Sequence, residues 1–228
     1  MPKSNKTLIK TAERGASAVA NPDKQCSPIV NAGTRQADVR RETKETQIRV
    51  RLNLDGSGLC SCSVPVPFFA HMLDLLAKHS LIDMELEGTG DVHIDAHHTV
   101  EDVGIVLGQA LKAALGDRAG IERYGEAYVP MEESLARCVL DLCNRPFLRY
   151  DAQLPKAKIG EFDAELAEEF FRAFAYNAGI TMHLALLTAG GNLHHVVEAM
   201  FKAVGRALGK AVTKNPRIKG VLSTKGKL

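Results

Sequence analysis

The strongest constraint on this chain is a duplication. His97-His98-Thr99-Val100-Glu101 recurs as His194-His195-Val196-Val197-Glu198, and each copy opens a stretch with helical periodicity. On a helix, positions i and i+4 share one face while i+1 is turned by about 100°. His97 and Glu101 can therefore grip one ion while His98 points elsewhere, and His194 and Glu198 repeat the arrangement with His195 turned aside. Two such copies brought together offer paired ligands for two metal ions. Imidazole and carboxylate donors without a thiolate suit manganese, iron or zinc in a site that keeps open positions. A single HHxxE is more often a helix cap or a satisfied core histidine; its repetition is what points to metal.

The segments around the motifs supply the layers. QIRVRLNLDG, from residue 47, alternates Ile48, Val50, Leu52 and Leu54 with polar neighbours and ends in Asp55-Gly56, which reads as a half-buried strand and a turn. Ile82, Met84 and Leu86 alternate in the same way, and CVLDLC at 138–143 offers a further strand. Helical periodicity runs through FFAHMLDLLAKHS, the first motif onward, EEFFRAFAYNAG and the second motif onward. This predicts an α+β fold made of a duplicated half-domain, with helices covering one face of each sheet. We place the half-repeats at residues 41–130 and 131–228. Residues 1–40, with seven basic and three acidic side chains and no hydrophobic periodicity, read as a disordered or targeting extension. GIERYGEA and TAGGNLHH match no nucleotide-binding glycine pattern and read as turns at element ends.

Composition narrows the function classes. With 45% hydrophobic and 25% charged residues the chain can bury a real core, and no apolar run is long enough for a membrane span. Five cysteines without a CxxC pair fit neither a disulfide framework nor a zinc ribbon, and point to a reducing compartment. After Glu198 no acid follows, while Lys202, Arg206, Lys210, Lys214, Arg217, Lys219, Lys225 and Lys227 do, so an anion is expected near that end. A nucleic acid is not the expected anion, because net charge is only +2, aromatics are few and no binding motif is present.

At these residues the chain resembles the imidazoleglycerol-phosphate dehydratases. The resemblance runs from about Arg41 to the C-terminus through RETKETQIRVRLNLDG, HMLDLLAKHS, DAHHTVEDVGIVLGQAL, GIERYGEAYVPMEESLARCVLDLCNRP, GGNLHHVVEAMFKAVGRAL and STKGKL. It implies a sandwich of mixed four-stranded sheets and helices, of the kind also found in a ribosomal-protein domain. It also implies two manganese ions per active site, an assembly of 24 identical subunits, and a cytoplasmic enzyme, or a plastid one if residues 1–40 are a transit peptide. The expected reaction is dehydration of D-erythro-imidazole glycerol phosphate to imidazole acetol phosphate in L-histidine biosynthesis. By the resemblance, one ion takes His71, His98, His194 and Glu198, and the other takes His97, Glu101 and His195, with Glu169 as its fourth ligand where relatives often carry histidine. The chain departs from the family pattern at Ala70 and Ala96, where aspartate usually precedes the motif histidines, and at Leu222, where proline is common. The absent aspartates would have oriented imidazoles.

The chemistry asks for a proton to leave a carbon that is not beside a carbonyl, and for hydroxide to leave the next carbon. Ionising the substrate's imidazole between two ions solves both, through an imidazolate and a diazafulvene-like intermediate, with the ions as Lewis acids and template. A general base must shift the proton. Glu45, in the family's Lys-Glu-Thr segment, is the expected base, and His79, on the same predicted helix as His71, is the second candidate. Arg123, Arg145, Lys202, Ser223, Thr224 and Lys225 match the family's substrate-binding positions and have the cations and hydroxyls that a phosphate needs.

Overall fold

The computed structural model describes residues 24–25, 28–30 and 33–228. Most of the extension expected at residues 1–40 thus lies outside the described residues, but its last part is ordered. The first half comprises β1 (Lys24–Gln25), β2 (Ile29–Val30), β3 (Gln36–Glu42), β4 (Thr46–Asn53), β5 (Cys60–Ser63), α1 (Pro67–Ser80), β6 (Asp83–Gly90) and α2 (His97–Leu115). The second comprises β7 (Tyr124–Met131), β8 (Ser134–Asp141), β9 (Phe147–Asp151), β10 (Lys158–Ile159), β11 (Phe162–Asp163), α3 (Leu166–Ala178), β12 (Thr181–Thr188) and α4 (Leu193–Val212). Two boundaries differ from the sequence reading. Ala37 and Val39 turn inward, so β3 starts the first half ahead of residue 41. The halves divide between Leu115 and Tyr124, because residue 131 closes β7 rather than opening a repeat.

Each half builds one mixed sheet, in matching order. The strands run β3-β4-β6-β5 in the first, with β1 and β2 adding to β3, and β7-β8-β12-β9 in the second. In each the last pair, β5 with β6 and β9 with β12, is parallel and the rest are antiparallel. Alternation explains the strands. Ile48, Val50 and Leu52 of β4 are buried, while Arg49 and Arg51 on the other face pair with Asp38 of β3.

The helices lie between the sheets and pair across the repeats: α1 packs on α4 and α2 on α3. Both pairs run parallel. Gly104 and Gly108 of α2 meet Phe170 and Phe174 of α3, and Gly205 and Gly209 of α4 meet Leu76 and Ser80 of α1. These glycines permit close backbone approach, since a Cβ at Gly108 would lie 2.7 Å from the Phe174 carbonyl oxygen and one at Gly209 2.6 Å from that of Ser80. Parallel pairing brings the N-terminal turns of each pair to one end, and the motif residues sit on those turns. The two motif helices also start alike. Asp95 accepts from the His97 N–H at 2.8 Å, and Asn192 accepts from the His194 N–H at 3.0 Å, which satisfies a free donor at each helix start.

Candidate metal centre and substrate pocket

On the α1–α4 pair, His71, His194 and Glu198 converge, with one ligand atom from each within 4.8 Å of the others. Glu198 Oε2 lies 3.1 Å from His194 Nε2 and 3.6 Å from His71 Nε2. The carboxylate is largely buried and the two imidazoles are half-exposed, so the cluster opens to solvent. Lys202, one turn further along α4, places Nζ 2.5 Å from Glu198 Oε1. Burial pushes the Glu198 carboxyl up, but Lys202, His194 and His71 more than offset this and leave it below the usual carboxylate value. Two nitrogens and a charged oxygen facing one space fit a divalent transition metal with open positions. Among the thiols, burial, with Asp74 nearby, pushes Cys60 up to about 11, and burial, Cys60 and Asp74 push Cys62 up to about 12.

The α2–α3 pair repeats this arrangement more loosely. His97 Nε2 is 3.8 Å from Glu101 Oε2, and Glu169 stands in the first turn of α3, alongside. Gly108 meets Phe174, Asn177 and Ala178 as Gly205 meets Leu76, His79 and Ser80, so α3 is matched to α1 and Glu169 occupies the place that His71 has in the other pair. Glu169 belongs to neither group of three ligand atoms found among the described residues.

The second histidine of each motif turns away from its helix pair, as an i+1 position should. His98 Nδ1 sits 3.0 Å from Asp91 and 4.0 Å from Glu45. The hydrogen bond to Asp91 raises the His98 pKa, with Glu45 adding to it. His195 lies with Glu132 and Glu133. The chain therefore brings His71, His194 and Glu198 together but holds His98 apart from them, and it holds His195 apart from His97 and Glu101. The second histidines are held by Asp91 and Glu133, which sequence reasoning missed. The only signal for them was a lone acid at the end of β6 and an acid pair at a hairpin tip.

Glu45 caps the β3–β4 hairpin and lines a small cavity of about 270 Å³ with Asp91 and His93. What fixes that hairpin is Asp102, directly after the first motif. It accepts from Arg41 Nε at 2.9 Å and from the buried Thr46 hydroxyl. His79 is elsewhere. It closes α1, two turns beyond His71, in a cavity of about 450 Å³ with Arg35, Arg206, Lys210 and Lys214. Burial, then Lys202 and Arg206, lower its pKa.

A third region collects the expected phosphate contacts. Arg123, Arg145, Ser223, Thr224 and Lys225 line one cavity of about 850 Å³, together with Lys227. Arg123 is buried and holds this region together: Nε and a terminal nitrogen donate to Asp141 at 2.7 and 2.9 Å, and the other terminal nitrogen donates to the Leu222 carbonyl at 2.6 Å. A guanidinium has five N–H donors, so two remain for an anion. Lys202 is not among the residues that line this cavity; its place one turn after Glu198 pairs it with that carboxylate.

Comparison with known proteins gives the family. Residues 64–208 match the profile of the family described as imidazoleglycerol-phosphate dehydratase. The chain is 57% identical over 195 residues to the imidazoleglycerol-phosphate dehydratase of Pelobacter propionicus, covering 86% of this chain and all of the relative. It is 56% identical over 194 residues to that of Acetivibrio thermocellus, covering 85% and 99%. The crystal structure of the Staphylococcus aureus protein of that name superposes with a TM-score of 0.69 at 44% identity, over 74% of this chain and 95% of that one. These likenesses place the chain among the hydro-lyases. It belongs to the imidazoleglycerol-phosphate dehydratase family, whose step in histidine biosynthesis is a dehydration.

Proposed function

We propose that this chain dehydrates D-erythro-imidazole glycerol phosphate to imidazole acetol phosphate with two manganese ions per active site. The observation that carries the metal reading is the convergence of His71, His194 and Glu198 from two helices of different repeats onto one open space. His97, Glu101 and Glu169 on the equivalent helix pair would hold the second ion, and His98 and His195 would complete the two sets. Bound manganese would supply Lewis-acid chemistry to the substrate's ring. Glu45, exposed at a hairpin tip that Asp102 anchors, is the group placed to move the proton, with Asp91 fixing the neighbouring His98. Arg123, Arg145, Ser223, Thr224 and Lys225 would hold the phosphate, and Lys202 would keep Glu198 ionised rather than meet the substrate.

The same distances support a homo-oligomer with shared sites, for which 24 subunits is the family expectation. The backbone N–H of Arg123 is anchored to the Ala211 carbonyl at the C-terminal end of α4. That is ~20 Å along the helix from Glu198 at 1.5 Å per residue, more than an imidazole glycerol phosphate can span. A phosphate held beside Arg123 and a ring held beside Glu198 therefore belong to different subunits, and His98 and His195 reach their metal partners in the same way. The outer face of the second-half sheet carries Tyr124, Tyr128, Val139 and Phe147, all at least 41% exposed, which is apolar surface suited to subunit contacts. The reading requires no membrane, in keeping with the absence among the described residues of a helix long and apolar enough to cross one. It requires no nucleic acid either, and the cytoplasm suits its free thiols.

Turnover of imidazole glycerol phosphate by the purified assembly, stripped of metal and then reloaded with manganese, tests the proposal. Formation of the keto product only after reloading is expected. Manganese binding without turnover would contradict the assignment of substrate.

A further inference from the structure

The two hairpins that point at the second histidines are equivalent in the duplication. β3 and β4 are joined through Glu45 into Thr46, and β7 and β8 through Glu133 into Ser134, with Thr46 and Ser134 both buried at the first position of the following strand. Each hairpin thus ends in a glutamate aimed at the motif of its own half. Glu45 Oε2 stands 4.0 Å from His98 Nδ1, whereas Glu133 Oε2 is in hydrogen-bond contact with His195 Nδ1 at 3.1 Å.

Three further features hold Glu133 in that position. Its other oxygen accepts from the backbone N–H of Asn192 at 3.1 Å. Asn192 is the N-cap of α4, so the carboxylate ties the hairpin to the start of the motif helix. Residue 190 is glycine where Glu133 passes: a Cβ there would lie 2.1 Å from Glu133 Cγ, so this space is free only while the side chain is absent. The carboxylate, an acceptor only, leaves Nδ1 of His195 as the donor. Nε2 then carries the lone pair and accepts from the Asn192 amide at 3.2 Å. An imidazole whose Nδ1–H is held by a carboxylate is oriented and made more basic as a metal ligand, and its Nε2 lone pair can exchange the exposed Asn192 hydrogen bond for a cation.

We infer that Glu133 is a positioning residue for metal binding, which holds His195 in the orientation and tautomer that a divalent cation takes up through Nε2. The inference rests on the proposal above that His195 is a manganese ligand. The test is manganese binding to the assembled protein, read by titration calorimetry and by the electron paramagnetic resonance of Mn²⁺, alongside thermal unfolding of the metal-free protein. Glu133→Gln keeps an acceptor for Asn192 but removes the charge, and Gly190→Ala pushes the native glutamate aside. Both are expected to weaken the affinity of one ion about 10- to 100-fold, with the metal-free unfolding temperature unchanged in Glu133→Gln, which keeps the tie to Asn192. Wild-type affinity in both variants would overturn the inference. So would complete loss of one ion with the charge alone, since Glu133 would then be a ligand itself. If the wild-type protein binds no manganese, the underlying reading of His195 fails instead, and the two failures are told apart in the same titration.

Discussion

The two hairpin–helix junctions share a backbone and differ in what fills them. In the first half Arg41, Thr46 and Asp102 form a half-buried polar network. In the second half the same positions, set by strand register and by the motif, are Val129, Ser134 and Ala199, and the buried Ser134 hydroxyl has no partner among the described residues. A polar junction and an apolar one therefore support the same turn. The difference lies in how the hairpin is tied to its helix: through Asp102 in the helix interior in one half, and through Glu133 to the helix N-cap in the other. Duplication has kept the positions of the motif-bearing helix ends while the tethers diverged.

The largest effect should come from breaking the polar junction alone. Asp102→Ala leaves Arg41 unpaired and Thr46 without its acceptor, and should cost about 3–5 kcal/mol of stability in urea unfolding. Adding Arg41→Val, which copies the second half, should recover most of that loss, because an apolar filling of similar shape can replace a buried ion pair. If the double variant is as unstable as the single one, the two junctions are not interchangeable.

Between the helix pairs, His71→Ala should lower kcat/KM by about 100-fold, whereas Glu169→Ala at the equivalent place should cost about 10-fold, since only His71 sits in a formed cluster. Equal losses would show that the second pair is as tightly built as the first. Arg123→Lys, which gives up the two-pronged bond to Asp141, should raise KM for the phosphorylated substrate about 10-fold with a smaller change in kcat.

The smallest effect concerns His79. Its folded pKa lies below its ordinary 6.5, so as pH falls below 6.5 the unfolded chain takes up the proton first and stability declines until the folded pKa is reached. His79→Gln should flatten that decline in urea midpoints compared on either side of 6.5. An unchanged slope would show that its setting among Lys202, Arg206 and Lys78 does not disfavour the charge.

Much of this was legible in the residues. Period-two alternation at 47–54 and helical period after each motif gave β4, α2 and α4 almost to their ends, because one face of each is buried and the other is wet. The i, i+4 rule correctly separated His97 from His98 and His194 from His195. Neither period could show which helices pair. That depends on glycines such as Gly104 and Gly209 letting backbones approach, and it is why the nearness of His71 to Glu198 had to come from family resemblance. Glu133 and Asp102 escaped for a similar reason: an acid in a turn or beside a motif has no periodic signature, and its partner is distant in sequence. Lys202 reads two ways in the sequence, since a cation one turn after a carboxylate suits a phosphate contact or that carboxylate's counter-ion, and only the structure shows its pairing with Glu198.

The central claim, one ion site per helix pair built from equivalent positions of the two halves, is tested most directly by manganese stoichiometry. Elemental analysis of the assembled protein should give two ions per chain, and one in each of the single variants Glu101→Ala and Glu198→Ala. A single ion per chain in the unaltered protein, or one that survives both substitutions, would contradict it.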